Sequence, residues 1–252
     1  MRIFALSDIH VDHPANAQWI RDLSLQDLQD DVLLLAGDVS DALPRFEACL
    51  TALALRFRHV LYVPGNHELW TLRDAPGLTS FAKFDLILKT ARRCGALTEP
   101  LRLHNLTIVP LLSWYDYSFG LPGPDLRDNW MDFHACRWPD GFTDADVADH
   151  FLALNEDHLA IEATRIISFS HFLPRIDVMP PQIPDKYRYL YPVLGSARLD
   201  RQIRRLGSQI HVYGHSHVNR QIQIDGVTYI NNAFGYPRET RIAAKALLQI
   251  VA

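Results

Sequence analysis

The stretch Ile3-Phe4-Ala5-Leu6-Ser7-Asp8-Ile9-His10 sets the reading of the whole chain. A short apolar run the length of a buried strand stops abruptly at a carboxylate and an imidazole. The same pattern returns along the sequence. Val32–Ala36 is followed by Gly37-Asp38, and Val60–Val63 by Pro64-Gly65-Asn66-His67-Glu68. Ile166–Phe169 is followed by Ser170-His171, and Ile210–Tyr213 by Gly214-His215-Ser216-His217. In open layered sheets, sites form beyond the carboxyl ends of the strands. Neighbouring strand tips converge there, so ligands far apart in sequence can meet at one ion.

Leu106–Leu112, Val227–Ile230 and Ala246–Val251 read as further strands, with a hairpin turn at Asp225-Gly226. Between the strands lie helical stripes. Leu43, Phe46, Leu50, Leu53 and Phe57 form one, and Phe81, Phe84, Leu88, Ala91 and Cys94 a second that Gly95 stops. Val147, Phe151, Leu154, His158 and Ile161 form a third, with Thr143 and Asp146 as a capping signal. Trp19, Ile20, Leu23 and Leu28 mark an earlier, less regular helix. Strand–helix alternation early and strands late predict an α/β layered fold. Residues 1–252 are expected to form one domain, with long Pro- and aromatic-rich loops at 115–141 and 172–195 facing substrate.

The 252 residues are 48% hydrophobic and 21% charged, the balance of a globular protein with a sizeable core. A net charge of −4 gives no basic footprint for duplex nucleic acid, so a nucleic-acid partner is not expected. The three cysteines, Cys49, Cys94 and Cys136, form neither a disulfide framework nor a metal knuckle. No apolar run is long enough to span a bilayer, and the N-terminus does not read as a signal peptide. A cytoplasmic setting is the expectation.

Each motif is ordinary alone: Gly65-Asn66 is a turn pair, and Asp38 suits a turn after Gly37. The ordered set is not ordinary. Asp8-x-His10, Gly37-Asp38, Gly65-Asn66-His67-Glu68, His171 and Gly214-His215-x-His217 together resemble the calcineurin-like metallophosphoesterase superfamily. That resemblance implies a four-layer αββα sandwich of two packed mixed β-sheets with a dinuclear metal centre at one edge. It implies that Asp8, His10 and His217 hold one ion, that Asn66, His171 and His215 hold the other, and that Asp38 bridges them. The carboxylate, amide and imidazole donors suit Mn, Fe, Zn or Ni, with Mn favoured. A hydroxide between the ions would attack phosphorus, and His67 would protonate the leaving alkoxide.

Asp41 has two readings, as a partner that orients His67 or as the N-cap of the helix that begins near Leu43. Glu68 reads as a supporting residue. Ala42 and Leu43 stand where the protein serine/threonine phosphatases place Arg-Gly, which argues against that activity. Asp41 stands where the purple acid phosphatases place a tyrosine ligand, which argues against a tyrosinate–iron site. Ser113-Trp114-Tyr115-Asp116 is a candidate rim segment. Arg127, Arg137 and Arg238 are candidate phosphate partners, each more simply a solvated charge. Trp130, Phe133 and Trp138 read as a satellite core rather than a base-stacking platform.

The expected activity is hydrolysis of a small phosphate mono- or diester. A nuclease or a cyclic-nucleotide phosphodiesterase is a narrower version of the same chemistry. A catalytically silent metal-binding scaffold is the competing class, and it would lack ligands or the acid, whereas all seven ligands and His67 are present. No motif encodes the natural substrate or the oligomeric state.

Overall fold

The computed structural model describes residues 1–251. In chain order the strands are β1 (Ile3–Leu6), β2 (Val32–Ala36), β3 (His59–Val63), β4 (Leu101–Leu103), β5 (Leu106–Pro110), β6 (Ile166–Phe169), β7 (Ile210–Tyr213), β8 (Arg220–Ile224), β9 (Val227–Asn231) and β10 (Leu248–Val251). The helices are α1 (Pro14–Asp22), α2 (Leu43–Ala54), α3 (Ser80–Arg93), α4 (Pro124–Asn129), α5 (Asp132–Ala135), α6 (Asp144–Ala153), α7 (Glu156–Leu159) and α8 (Ala197–Leu206). The strands make two sheets, ordered β10-β1-β2-β3 and β4-β5-β6-β7-β9-β8.

Side-chain alternation along the strands builds the layers. Ile3, Ala5, Val32, Leu34, Leu61 and Val63 point from the first sheet into the gap between sheets. Ile108, Ile167, Phe169, Val212 and Ile230 meet them from the second. The alternate residues Phe4, Leu6, Leu33, Leu35, Val60 and Tyr62 face outward onto α1, α2 and α3. On the far side, Leu199, Ile203 and Leu206 of α8 cover the second sheet through Val109, Tyr213 and Tyr229. Each such fully buried aliphatic side chain contributes about 1.5–3 kcal/mol. The result is the expected helix–sheet–sheet–helix sandwich.

The parallel pairings β1–β2–β3 and β5–β6–β7–β9 bring the strand ends that carry the predicted ligands to one edge. There the two sheets are stitched together. Ser7 bridges to Ala233, and the amides of Ser7, Phe234 and Gly235 bond the carbonyls of Asn232, Ser7 and Asp8 at 3.1, 2.8 and 2.9 Å.

Several sequence expectations shift. The third stripe breaks after Ala153 and resumes at Glu156. The cause is buried Asn155, whose amide bonds both the N–H and the C=O of Leu112 at 2.8 Å. That side chain finishes the β5 edge, and β5 itself ends at Pro110 rather than Leu112. The early helix stops at Asp22, and Leu23 is already extended. β4 was not anticipated, and β8 was implied only as the first arm of the Asp225-Gly226 hairpin; both are half-exposed edge strands without a continuous apolar run. The Thr143–Asp146 capping box is present, with Thr143 Oγ1 accepting from the Asp146 N–H at 3.3 Å.

Candidate metal centre

Beyond the last strand residues the chain turns sharply, and five of the predicted ligands do so with left-handed backbones. Asp8, His10, Asp38, His215 and His217 have φ of 53°, 42°, 55°, 67° and 53°. Among the described residues only Tyr117 and Asp225 share this state without being glycine. Such a conformation costs about 1 kcal/mol or more for a residue with a side chain. Its concentration here means the surrounding bonds overrule local preference in order to aim these groups. The amides of Asp8 and His10 bond the carbonyls of Gly37 and Asp38, each at 3.0 Å. Gly65 must be a glycine, since a β-carbon there would lie 2.7 Å from the Asp38 amide nitrogen and 2.8 Å from Cε1 of His171.

The side chains converge in two overlapping groups. Ligand atoms of Asp8, His10, Asp38 and His217 lie within 4.8 Å of one another, and so do those of Asp38, His171 and His215. Asp38 belongs to both. His10 Nε2 and His217 Nε2 are 3.1 Å apart, and His217 Nε2 is 3.3 Å from Asp8 Oδ1. In the other group His171 Nε2 sits 3.1 Å from both Asn66 Oδ1 and His215 Nδ1. Asp38 Oδ2 is 3.5 Å from His171 Nε2 and 3.9 Å from His10 Nε2.

The outward nitrogens are already committed, which fixes the inward ones. His171 Nδ1 bonds the Ala36 carbonyl at 2.9 Å, and His215 Nε2 bonds the Val193 carbonyl at 3.0 Å. His217 Nδ1 bonds Glu239 Oε2 at 2.7 Å. Asn66 is oriented in the same way: its Nδ2 donates to Asp132 Oδ1 at 2.8 Å, leaving Oδ1 toward the histidines. Asp132 also accepts from the indoles of Trp70 and Trp130 at 2.7 and 2.8 Å. Glu68 accepts the amides of Asp38, Val39, Ser40 and Gly65 at 2.7 to 3.0 Å, tying the second and third motifs together.

The electrostatics fit divalent cations. Burial keeps His10, His171 and His215 from charging, so their imidazoles are in the neutral form that binds metal. Burial, with Glu68 and Asp8 nearby, raises Asp38 well above the usual carboxylate range. Burial opposes charge on His217, but Asp8 and Glu239 overcome it and raise this group to about 9. Buried carboxylate, amide and imidazole donors pointing at one another fit a divalent cation. The nitrogen and oxygen donors, without thiolate, suit borderline divalent ions.

His67 sits at the mouth. Its main-chain N–H donates to Asp38 Oδ1 at 3.1 Å, its Nε2 is 3.8 Å from Asp38 Oδ2, and its ring lies 3.8 Å from that of Trp70. Asp41 does not meet it. The Asp41 carboxylate pairs with Arg73 at 3.1 Å, and no hydrogen bond joins it to His67 among the described residues. Nor is it a cap: the N-cap of α2 is Ala42, and the Leu43 amide is taken by Asp74. Both readings of Asp41 are therefore corrected, because the loop bearing Arg73 folds across it.

The rim expectation for residues 113–116 is also corrected. Trp114 and Tyr115 are fully buried in a cluster with Phe84, Phe151 and Phe172. Trp130, Phe133 and Trp138 pack against that cluster as the satellite core expected, although the Trp130 ring also stands 5.8 Å from His215. Arg127, Arg137 and Arg238 are solvent-exposed. Asp132, Glu239 and Tyr236 were missed. Tyr236 lies 4.6 Å from the His10 ring and 4.9 Å from that of His217. None of the three stands in a motif next to a strand end.

The sandwich with this edge cluster defines a metal-dependent hydrolase of phosphate esters, and the comparisons agree. The calcineurin-like phosphoesterase family model matches residues 1–219, and the chain belongs to that family. Acyl-carrier-protein phosphodiesterase PptH of Mycobacterium tuberculosis is 29% identical over 263 residues, spanning 95% of this chain and 79% of that protein. The crystal structure of phosphopantetheinyl hydrolase (PptH) from Mycobacterium tuberculosis superposes with a TM-score of 0.85 at 26% identity, over 99% of this chain and 95% of that one. A further solved structure aligns with a TM-score of 0.57 at 10% identity, over 92% of this chain and 90% of that one, a likeness of fold alone. Among the described residues no helix is long and apolar enough to cross a membrane.

Proposed function

We propose that this chain is a phosphodiesterase that cleaves the ester joining a phosphopantetheine arm to a carrier protein. The observation that carries this is similarity along nearly the whole chain, in sequence and in fold, to a protein named for that reaction. Asp8, His10 and His217 would hold one divalent ion, Asn66, His171 and His215 the other, and Asp38 both. Manganese is favoured among Mn, Fe, Zn and Ni for this mixed oxygen–nitrogen set. When bound, such a pair supplies an acidified water as nucleophile and positive charge for the phosphoryl oxygens.

The chain's own groups do the rest. Asp38 and Asp8 offset the cationic charge. Asp132 keeps the carbonyl of Asn66 forward. His67, stacked on Trp70, would protonate the departing alkoxide. Burial, with His171 and His217 nearby, lowers it to about 3, so it rests neutral. Phosphoryl charge bound in front of the ring raises its proton affinity when a proton is needed. The loops at 115–141 and 172–195 supply Trp130 and Val193 beside His215, which supports a substrate-facing position. The core shared by both sheets supports residues 1–252 as one domain. Free cysteines support a reducing, cytoplasmic setting.

The test is to incubate phosphopantetheine-bearing carrier protein with enzyme reloaded with Mn²⁺ and to follow both products by mass spectrometry. Release of free phosphopantetheine and unmodified carrier is expected. His67→Ala should lower kcat by roughly 10²–10⁴ while ion content stays unchanged. Turnover of p-nitrophenyl phosphate with an intact carrier would overturn the assignment and return the enzyme to a general monoesterase.

A further inference from the structure

The segment after β9 lies beyond the residues matched by the family model, yet it closes over one side of the metal centre. Its backbone is stitched to β1 through Asn232, Phe234 and Gly235. Lys245 pins it from behind, its ammonium donating to the carbonyls of Phe234, Gly235 and Tyr236. Asn16 Nδ2 adds a bond to the Gly235 carbonyl at 3.0 Å. From this strap two side chains reach inward: the Tyr236 ring lies against His10 and His217, and Glu239 Oε2 meets His217 Nδ1.

We propose that Glu239 is a positioning residue for the ion held by Asp8, His10 and His217, acting through the imidazole of His217. This rests on the ligand assignment made above. A carboxylate bonded to Nδ1–H fixes the tautomer, turns Nε2 toward the ion and strengthens it as a donor. The geometry is built for that contact. Glu239 Oε2 also accepts the Tyr236 amide at 2.8 Å, so the carboxylate is held from two sides. Gly235, at φ +68°, keeps the space: a β-carbon there would lie 2.6 Å from Glu239 Oε2 and 3.0 Å from Ala243 Cβ. His171 and His215 instead direct their outward nitrogens to main-chain carbonyls. A carboxylate behind an imidazole is therefore found at this ion position and not behind His171 or His215, and it comes from a part of the chain outside the shared family motifs.

The test is equilibrium dialysis of the full chain against Co²⁺, with ion content by mass spectrometry and the cobalt absorption spectrum as a second readout. Wild type, His217→Ala, Glu239→Ala, Glu239→Gln and Gly235→Ala are compared, with circular dichroism and melting temperature for each. Wild type should hold two ions and His217→Ala one. Glu239→Ala should weaken one ion 10- to 100-fold, shift its absorption band and leave the other unchanged. Glu239→Gln should lose less, because its amide oxygen still accepts the bond, and Gly235→Ala should reproduce the selective loss by displacing the carboxylate. If His217→Ala gives up one ion while Glu239→Ala binds both at wild-type affinity, the inference is overturned and the ligand assignment stands. Equal weakening of both ions with a fallen melting temperature in all Glu239 variants also overturns it, making the strap a scaffold. Retention of both ions by His217→Ala overturns the ligand assignment and the inference with it.

Discussion

Asp38 is where the largest local conflicts meet. It is buried, its backbone is left-handed at φ 55°, and its carboxylate lies within reach of both histidine groups. Burial and the neighbouring acids raise its proton affinity in the metal-free protein, so the folded state disfavours its charge. A raised carboxyl contributes most below the unfolded value near 4 and becomes a burden as pH rises above it. Asp38→Asn keeps a side chain that tolerates this backbone and can still accept from the His67 N–H. After chelation, Asn should be more stable than wild type at pH 7 by about 1 kcal/mol or more, while activity is lost. Thermal unfolding in EDTA reads this, and a lower melting temperature for the variant would sink the account. Asp132 is a second buried carboxylate, and although Asn66, Trp70 and Trp130 all donate to it, burial still raises it to about 6. Its sequence neighbours give no hint of that role.

At the scale of elements, local codes and long-range packing can be told apart. The capping box at the start of α6 is written in four consecutive residues and formed as expected. Thr143→Ala should cost about 1 kcal/mol, seen as a lower denaturant midpoint at constant m-value. The seam between β6 and β7 is a different matter. His211 is fully buried between Ser168 Oγ at 2.8 Å and Ser170 Oγ at 3.0 Å. Burial lowers it to about 3. Because that lies below the unfolded value near 6.5, its stabilising share is complete above pH 6.5 and drains as pH falls toward 3. The stability gap between wild type and His211→Gln should shrink by about 1.4 kcal/mol per pH unit across that window. Urea titrations at stepped pH measure it, and a pH-independent gap would rule it out. Ser170 is thus part of a buried polar triad with Ser168 and His211.

For the whole molecule, the metal centre is where the two sheets are tied, through Ser7 and Ala233 beneath Asp8. Ions held by these residues would bind only the folded chain, since the candidate donors come from five strand ends. Their removal should lower stability by about 4 kcal/mol for a site filled at a thousandfold its dissociation constant. Thermal shift with and without EDTA, followed by Mn²⁺ re-addition, checks this; an unchanged melting temperature would mean the centre is not part of the fold's energetics.

The sequence by itself determined the strands that carry the site, their alternation and the ordered motifs whose side chains converge at one edge. These are local properties: a buried strand is a short apolar run, and a turn that follows it shows its polar residues directly. It also determined the capping box and the absence of a cysteine framework. Tertiary structure decided the rest. It took Asp41 away from His67 by folding Arg73 over it, buried Trp114 and Tyr115 where a rim had been expected, and split the third helical stripe at Asn155 to finish a strand edge. It alone brought Asp132 to Asn66 and Glu239 to His217, pairs separated by 66 and 22 residues. The physical reason is that a ligand must stand at a strand end to reach the ion, which leaves a pattern in the sequence. A residue that orients a ligand needs only to arrive at hydrogen-bond distance, and it can do so from anywhere along the chain.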